Sequence, residues 1–383
     1  MVDRSSTQPL LPEEVYERAL AVGRRAAGVS GPNPPVGCLI VRDGDVLAEG
    51  ATGPVGAAHA EVEALRHAGG AAAGATAVVT LEPCAHHGRT PPCTDALRDA
   101  GVAAVHLLVR DPDPTAAGGV ARLAAAGIDV VDVGALRPDL HARAADDLRG
   151  FLTRVRDGRP HLTLKLAQTV DGVTVPPAGA YLTGTAARSH VHRLRARSDA
   201  VLVGGATLRA DDPRLDVRHG AGTDGSGTSP RPVIVSASGD VPTSARAVRA
   251  GTLVVVGPDP HPERDAALAA RGATVVRVPA ADDGSGLDAT AVVRCLLEHR
   301  VLTVLAEPGP RLARALLTAD LVDAVEVHVA GGAAGGQVRP ALPELADVVR
   351  VGADVDVVRA DADLILRRAR GGAVAASGLQ EVA

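Results

Sequence analysis

Three metal-binding side chains fall within a short stretch of the chain: His59 in His59-Ala60-Glu61, Cys84 after Pro83, and Cys93. One imidazole and two thiolates would give a zinc ion three protein ligands and leave a fourth position for water, as in catalytic rather than closed structural sites. Zinc brings such a water to hydroxide near neutral pH. Glu61 stands two residues from a ligand and can move a proton from that water to a leaving amine. A single His, a solvated Glu or two buried cysteines would each be ordinary alone. Their joint placement, each half where a strand meets a helix, points to a zinc-dependent hydrolytic centre. Another candidate is Lys165, the one lysine in a chain rich in Arg and Ala.

The elements around these residues can be read from spacing. Positions 13–27 have apolar residues at helical intervals behind acidic ones, and GPNPPVG (31–37) ends that helix. CLIVRDGDVLAEG (38–50) is two apolar runs around Asp43-Gly44, a hairpin, and 58–70 reads as a helix closed by glycine. Strand, helix and strand follow at 76–83, 94–101 and 102–110. Residues 1–150 thus form one α/β domain, and the polar stretch 151–160 is expected to be a linker. Over 161–383, strands at 162–167, 200–205, 232–237, 252–257, 274–278, 303–308 and 324–330 alternate with helical patterns, which predicts a largely parallel sheet with covering helices. The segment 219–230 is rich in Gly, Ser and Thr and reads as a surface loop.

Composition narrows the function. The 383 residues carry 40 Lys plus Arg against 45 Asp plus Glu, a net charge of −5, with one Phe, two Tyr and no Trp. Neither the charge nor the aromatics suit a polynucleotide, which needs cations and stacking platforms. No stretch approaches the ~20 apolar residues of a membrane span, and no signal-like segment opens the chain. A cytoplasmic protein without a disulfide framework is expected, with Cys38 and Cys295 as buried thiols.

The H-x-E and P-C elements match the two halves of the zinc deaminase signature, but eight residues separate Cys84 from Cys93 where the short form has two. The run TLEPCAHHGRTPPC (80–93), with NPPVG (33–37) and HAE (59–61), resembles the deaminase domain of the bifunctional riboflavin-biosynthesis deaminase/reductase family, which has a long insert at this place. The resemblance implies a cytidine-deaminase-like three-layer α/β/α fold. It further implies that His59, Cys84 and Cys93 bind zinc, that Glu61 shuttles protons, that Asn33 meets the pyrimidine ring, and that His86 and Arg89 help hold a phosphorylated sugar. A guanidinium fork suits phosphate. Ala51 and Thr52 stand where the family has an aromatic residue and a His, and Asp113 stands for Asn in DPDP (111–114).

In the second domain LTLKLAQTVDG (162–172), YLTG (181–184), LRARSDAVLVGGATLRADDPRLDVR (194–218) and AEPGPRL (306–312) are similar to the same family's reductase domain. That implies a dihydrofolate-reductase-like α/β fold and NADPH. Lys165, as catalytic residue, with Thr183, Arg195, Asp212, Leu215 and Arg218, would then line the substrate site, the two arginines meeting phosphate. Gly204, Thr207, Asp211, Glu307 and Gly309 would border cofactor or reacting sugar. Pro308 replaces the first glycine of Glu-Gly-Gly, Ser236 and Asp240 stand where an Asp and an Arg are usual, and GGAAGG (331–336) replaces a Pro-Lys segment. The reading is a bifunctional enzyme acting on a small phosphorylated pyrimidine, as a homo-oligomer. These departures leave open a paralogue that deaminates another aminopyrimidine with an altered or inactive reductase. A non-catalytic zinc protein is a further alternative.

Overall fold

The computed structural model describes residues 9–88, 91–174, 181–218, 229–331, 341–343, 355–369 and 380–381. Arg89 and most of 219–230 and 331–336 lie outside them. The chain divides into two compact units, the first ending at Gly158 and the second starting at Arg159.

The first unit runs α1 (Glu13–Arg24), β1 (Gly37–Arg42), β2 (Asp45–Ala51), α2 (Ala60–Ala68), β3 (Thr76–Val79), α3 (Cys93–Asp99), β4 (Ala104–Leu107), α4 (Gly119–Ala125), β5 (Asp129–Asp132), α5 (Val133–Leu136), α6 (Pro138–Asp147) and α7 (Arg149–Asp157). Its sheet has the order β2-β1-β3-β4-β5, with β1 antiparallel to both neighbours and β3, β4 and β5 parallel. The β1–β2 hairpin turns at Asp43 and Gly44, both with positive φ (52° and 88°), the backbone that an Asp-Gly pair accepts most readily. Two other glycines set the layers. A Cβ on Gly37 would lie 2.2 Å from the Ala19 carbonyl of α1, and one on Gly50 would lie 2.2 Å from the Ala60 carbonyl of α2. Gly50 pairs with Cys38, the neighbour of Gly37, so the two glycines face opposite sides and bring α1 and α2 directly onto the two faces of the sheet. Residues 151–157, expected in a linker, instead form most of α7, with Phe151 buried in the first unit's core.

The second unit comprises β6 (His161–Thr169), α8 (Thr185–Ala196), β7 (Ala200–Gly204), α9 (Gly205–Asp211), β8 (Arg231–Ser236), β9 (Leu253–Val256), α10 (Pro262–Ala270), β10 (Thr274–Arg277), α11 (Ala289–Glu298), β11 (Thr303–Ala306), α12 (Pro310–Thr318), β12 (Ala324–Ala330), β13 (Asp356–Ala360), β14 (Asp363–Ala369) and β15 (Gln380–Glu381). One sheet joins the strands in the order β10-β9-β8-β7-β11-β6-β12-β14-β13-β15. It is parallel from β10 to β12, and β14 runs antiparallel to both β12 and β13. Its central strands are almost unbroken apolar runs because both faces are covered: Ala200 and Leu202 enter one core, Val201 and Val203 the other. At the chain's entry to this sheet, Arg159 makes two hydrogen bonds to Asp323 (2.6 and 2.8 Å), both side chains buried, and the same carboxylate accepts the Leu162 N–H. Among the described residues no helix is long and apolar enough to cross a membrane.

Candidate functional site

In the first unit His59 is the N-cap of α2, Glu61 lies in its first turn, Cys84 follows β3, and Cys93 opens α3. The close packing of α2 on Gly50 fixes the height of the first pair, and Glu82 fixes the second. The buried Glu82 carboxylate accepts the Asp111 N–H (3.3 Å) and the Val120 N–H (3.0 Å), while Arg122 donates to the Ala85 carbonyl (2.9 Å) and grips Asp95. The loop carrying Cys84 is thereby tied to 111–120 and to α3.

The result is a tight cluster. Nδ1 of His59 lies 3.7 Å from Sγ of Cys84 and 3.3 Å from Sγ of Cys93, and the Cys93 N–H points at the Cys84 sulfur (3.4 Å). Hydrogen bonding from Cys93, and from His59, holds the Cys84 thiol down to about 4, while that same contact and burial push Cys93 up. Two sulfurs and an imidazole nitrogen this close together, one of the thiols already held as thiolate, are a donor set that a divalent zinc ion completes. Glu61 is buried beside them, and desolvation raises its carboxyl to about 7. Cys38 and Cys295 are buried thiols that donate to the Leu39 and Val292 carbonyls.

Around this centre the remaining residues are placed as follows. The Asn33 backbone is pinned from both sides by Ser30, whose carbonyl accepts its N–H (2.9 Å) and whose hydroxyl donates to its carbonyl (3.0 Å). Thr52, where the resemblance leads one to expect His, accepts the Val36 N–H (3.1 Å) and fastens the NPPVG loop to β2. Asp113 accepts the N–H and hydroxyl of Thr115 (3.0 and 2.7 Å), a turn that Asn would also make. His86 is exposed, and Arg89 lies outside the described residues.

The second unit's candidates separate into groups. Lys165 lies on β6 beside Glu326 of β12, its register partner. Burial lowers its ammonium from the ordinary value, and Glu307 opposes that. Glu307 follows β11 and receives the Arg195 guanidinium in a bidentate pair (2.7 and 2.9 Å). Burial would raise its carboxyl, but Arg195 and Lys165 outweigh this and hold it below its ordinary value. Arg195, expected to meet phosphate, is thus committed to Glu307 and to the Asp216 carbonyl (3.2 Å). Gly204, Thr207 and Gly309 come together where α9 and α12 begin: a Cβ on Gly309 would stand 3.1 Å from the Thr207 hydroxyl, and one on Gly204 would meet Leu312. This cradle, at the carboxyl ends of adjacent parallel strands β7 and β11, is where such sheets take cofactors. It suits NADPH, because the backbone can approach the ligand closely.

Others are occupied differently from expectation. Asp212, with φ 38°, ends α9 and binds the N–H (2.8 Å) and guanidinium (3.0 Å) of Arg246. The Leu215 side chain is buried in an apolar core, so what it can offer a substrate is backbone. Arg218 pairs with Asp216 (2.9 Å) and is well exposed, as is Asp211 at the end of α9. The Thr183 carbonyl accepts from Arg188 (2.6 Å). Ser236 packs under Gly205, where a Cβ would come within 3.1 Å of it, and the charge of Asp240 is met by Arg209 (3.4 Å). Two residues that spacing did not reveal brace these sites, one in each unit. One is Glu82. The other is Asp363, buried at the start of β14, which accepts the N–H of Gly184 (2.6 Å) and of Gly331 (3.2 Å). Neither has a motif of its own, though Glu82 lies inside TLEPC.

Comparison with known proteins agrees with this geometry. Residues 11–109 match the cytidine and deoxycytidylate deaminase zinc-binding region, and residues 160–366 match the RibD C-terminal domain. The riboflavin biosynthesis protein RibD of Escherichia coli is 38% identical over 355 residues, covering 88% of this chain and 94% of that protein. RibD of Mycobacterium tuberculosis is 37% identical over 332 residues, covering 85% and 87%. The structure of Acinetobacter baumannii RibD superposes with a TM-score of 0.75 at 34% identity, covering 93% of this chain and 98% of that one. A Thermotoga maritima diaminohydroxyphosphoribosylaminopyrimidine deaminase/5-amino-6-(5-phosphoribosylamino)uracil reductase gives 0.72 at 29% identity, covering 93% and 99%. With a zinc-binding deaminase domain, a reductase domain and relatives matched over nearly their whole length, the chain belongs to the bifunctional deaminase/reductase family of riboflavin biosynthesis.

Proposed function

We propose that the first unit hydrolyses the ring amino group of a 2,5-diamino-6-ribosylamino-4(3H)-pyrimidinone 5′-phosphate, releasing ammonia, and that the second reduces the ribosyl group of the product to ribityl with NADPH. The observation that carries this reading is the buried Glu61 beside converging His59, Cys84 and Cys93. These three would hold zinc, which when bound supplies a nucleophilic water near neutral pH. Glu61 takes one proton from the attacking water and delivers it to the departing amine; the water oxygen stays on the ring and its second proton passes to the adjacent ring nitrogen, so that the products are ring carbonyl and ammonia. Its burial suits the task, because a carboxyl raised toward neutrality both accepts and gives a proton. Asn33 meets the pyrimidine, and His86 and Arg89 the sugar phosphate.

In the second unit the Gly204, Thr207 and Gly309 cradle, with Asp211 at its edge, borders NADPH, which supplies the hydride. Lys165 orients the opened sugar and gives the accompanying proton, and Glu307, held by Arg195, keeps that lysine in place. Arg218 is the phosphate partner, with Thr183, Asp212 and the Leu215 backbone along the substrate. The scarcity of aromatics supports a small substrate over a nucleic acid, and the reading places the enzyme in the cytoplasm. The test is a paired assay on zinc-loaded protein, following ammonia release and NADPH oxidation in one sample. Ammonia followed by NADPH consumption is expected. No ammonia would overturn the assignment, and ammonia with NADPH and NADH both inert would overturn its reductase half.

A further inference from the structure

The second unit contains another set of metal-ligating side chains. His190 of α8 and Glu326 and His328 of β12 are all buried, and one donor atom from each lies within 4.8 Å of the others. Glu326 and His328 are two apart on one strand and therefore share a face. Nε2 of His190 is 3.0 Å from Oε2 of Glu326, and Nε2 of His328 is 3.6 Å from the same oxygen. Ligands held 2.0–2.1 Å from a tetrahedral ion stand roughly 3.3 Å apart, a value these two separations bracket.

Two further observations show that the cluster is incomplete as it stands. His328 is fully buried, and apart from the 3.6 Å approach of its Nε2 to Glu326 neither of its ring nitrogens has a hydrogen-bond partner among the described residues. Most interior imidazoles are paired, and this one has donor capacity to spare for a ligand. His190 is overcommitted instead. To donate to the Glu326 carboxylate its Nε2 must carry a proton, yet to accept from Nη2 of Arg367, 2.7 Å away, the same atom must present a lone pair. Arg367 also lies 3.0 Å from the other oxygen of Glu326, and its side chain is 29% exposed. Its Nε is buried while part of the side chain reaches solvent, so this positive charge has a way out of the cluster.

We propose that His190, Glu326 and His328 form a second metal site, in the reductase unit, for a first-row divalent transition ion such as zinc, cobalt or nickel, with Arg367 as its built-in competitor. Two imidazoles and one carboxylate suit these ions, whereas calcium and magnesium ask for six or more oxygens. Metal binding gives Nε2 of His190 one use instead of two, supplies His328 with a close partner, and leaves Arg367 free to turn to solvent. Without metal, Arg367 keeps Glu326 neutralised.

Cobalt titration of the full, metal-stripped chain tests this, with bound metal counted after equilibrium dialysis. Two equivalents are expected. One carries the intense charge-transfer bands of cobalt on thiolate, and the other carries only weak visible bands. His328→Gln removes the second equivalent and keeps the thiolate bands, which also report that the variant has folded. Arg367→Ala, at a partly exposed position, tightens the second site by about tenfold or more, because a competing cation is gone. A single equivalent in both the native chain and Arg367→Ala, at cobalt up to the millimolar range, overturns the proposal and leaves the cluster an ion-pair network. Two equivalents that His328→Gln does not reduce overturn it as well.

Discussion

The two candidate centres are built on opposite principles. In the first unit the chemistry comes from two short motifs at helix starts, and each side chain's type is dictated by what a metal accepts. In the second, Lys165, Arg195, Glu307 and Glu326 come from β6, α8, the end of β11 and β12, and each is present because another balances its charge. A coordination centre therefore tolerates almost no substitution. A centre of mutually neutralising charges should lose function in steps and recover when a partner is adjusted.

The largest effect should come from Glu61→Gln, which keeps the shape and removes the proton carrier. Ammonia release should fall by roughly two to four orders of magnitude, while NADPH oxidation on an already deaminated substrate stays unchanged. A small loss would mean the first centre is as forgiving as the second. Next is Asp323→Ala, which removes the buried carboxylate that Arg159 and the Leu162 N–H share. The second unit should lose about 3–5 kcal/mol in denaturant titration, with zinc content unaffected. Glu307→Gln removes the carboxylate that Arg195 and Lys165 share, and leaves Lys165 with Glu326 beside it. NADPH turnover should drop about a hundredfold, and a second change of Arg195 to Gln should return part of it. If the double variant is no better than the single one, mutual balance is not what organises this site.

The smallest effect concerns pH. Burial lowers His106 of β4 to about 4, where its Nδ1 meets the Tyr16 hydroxyl at 2.9 Å. Between the unfolded value near 6.5 and about 4, the unfolded chain takes up a proton that the folded unit refuses. This contribution is complete above about pH 6.5 and is lost as pH falls toward 4, by about 3 kcal/mol. His106→Gln should flatten that part of the stability profile, as read by hydrogen exchange in β3 and β4. An unchanged slope would show that other groups cause the acid lability.

What was legible in the sequence follows the same division. Zinc chemistry compresses its ligands into HAE and PC…C, so they could be found by spacing, and the apolar runs of β6 to β12 announced a parallel sheet. The pairing of Arg195 with Glu307 was not legible, because Glu307 lies on a distant strand end and only the fold brings the two together. The His190–Glu326–His328 cluster was invisible for the same reason: it depends on the register that sets Glu326 between Lys165 and Arg367. Asp212 and Leu215 both have positive φ, and motif matching sees their side chains, not the turn they make.

The placement of the tyrosines has an optical consequence. Tyr16 is sealed in the first unit's core against His106, while Tyr181 of the second unit is exposed with the Arg188 guanidinium 4.6 Å from its ring centre. With no tryptophan anywhere in the chain, each unit carries one emitter, one shielded from water-borne quenchers and one open to them. Iodide or acrylamide should therefore silence the second unit first, and the residual fluorescence should follow the melting of the deaminase unit alone. The blue emission of bound NADPH would stand against an almost dark protein.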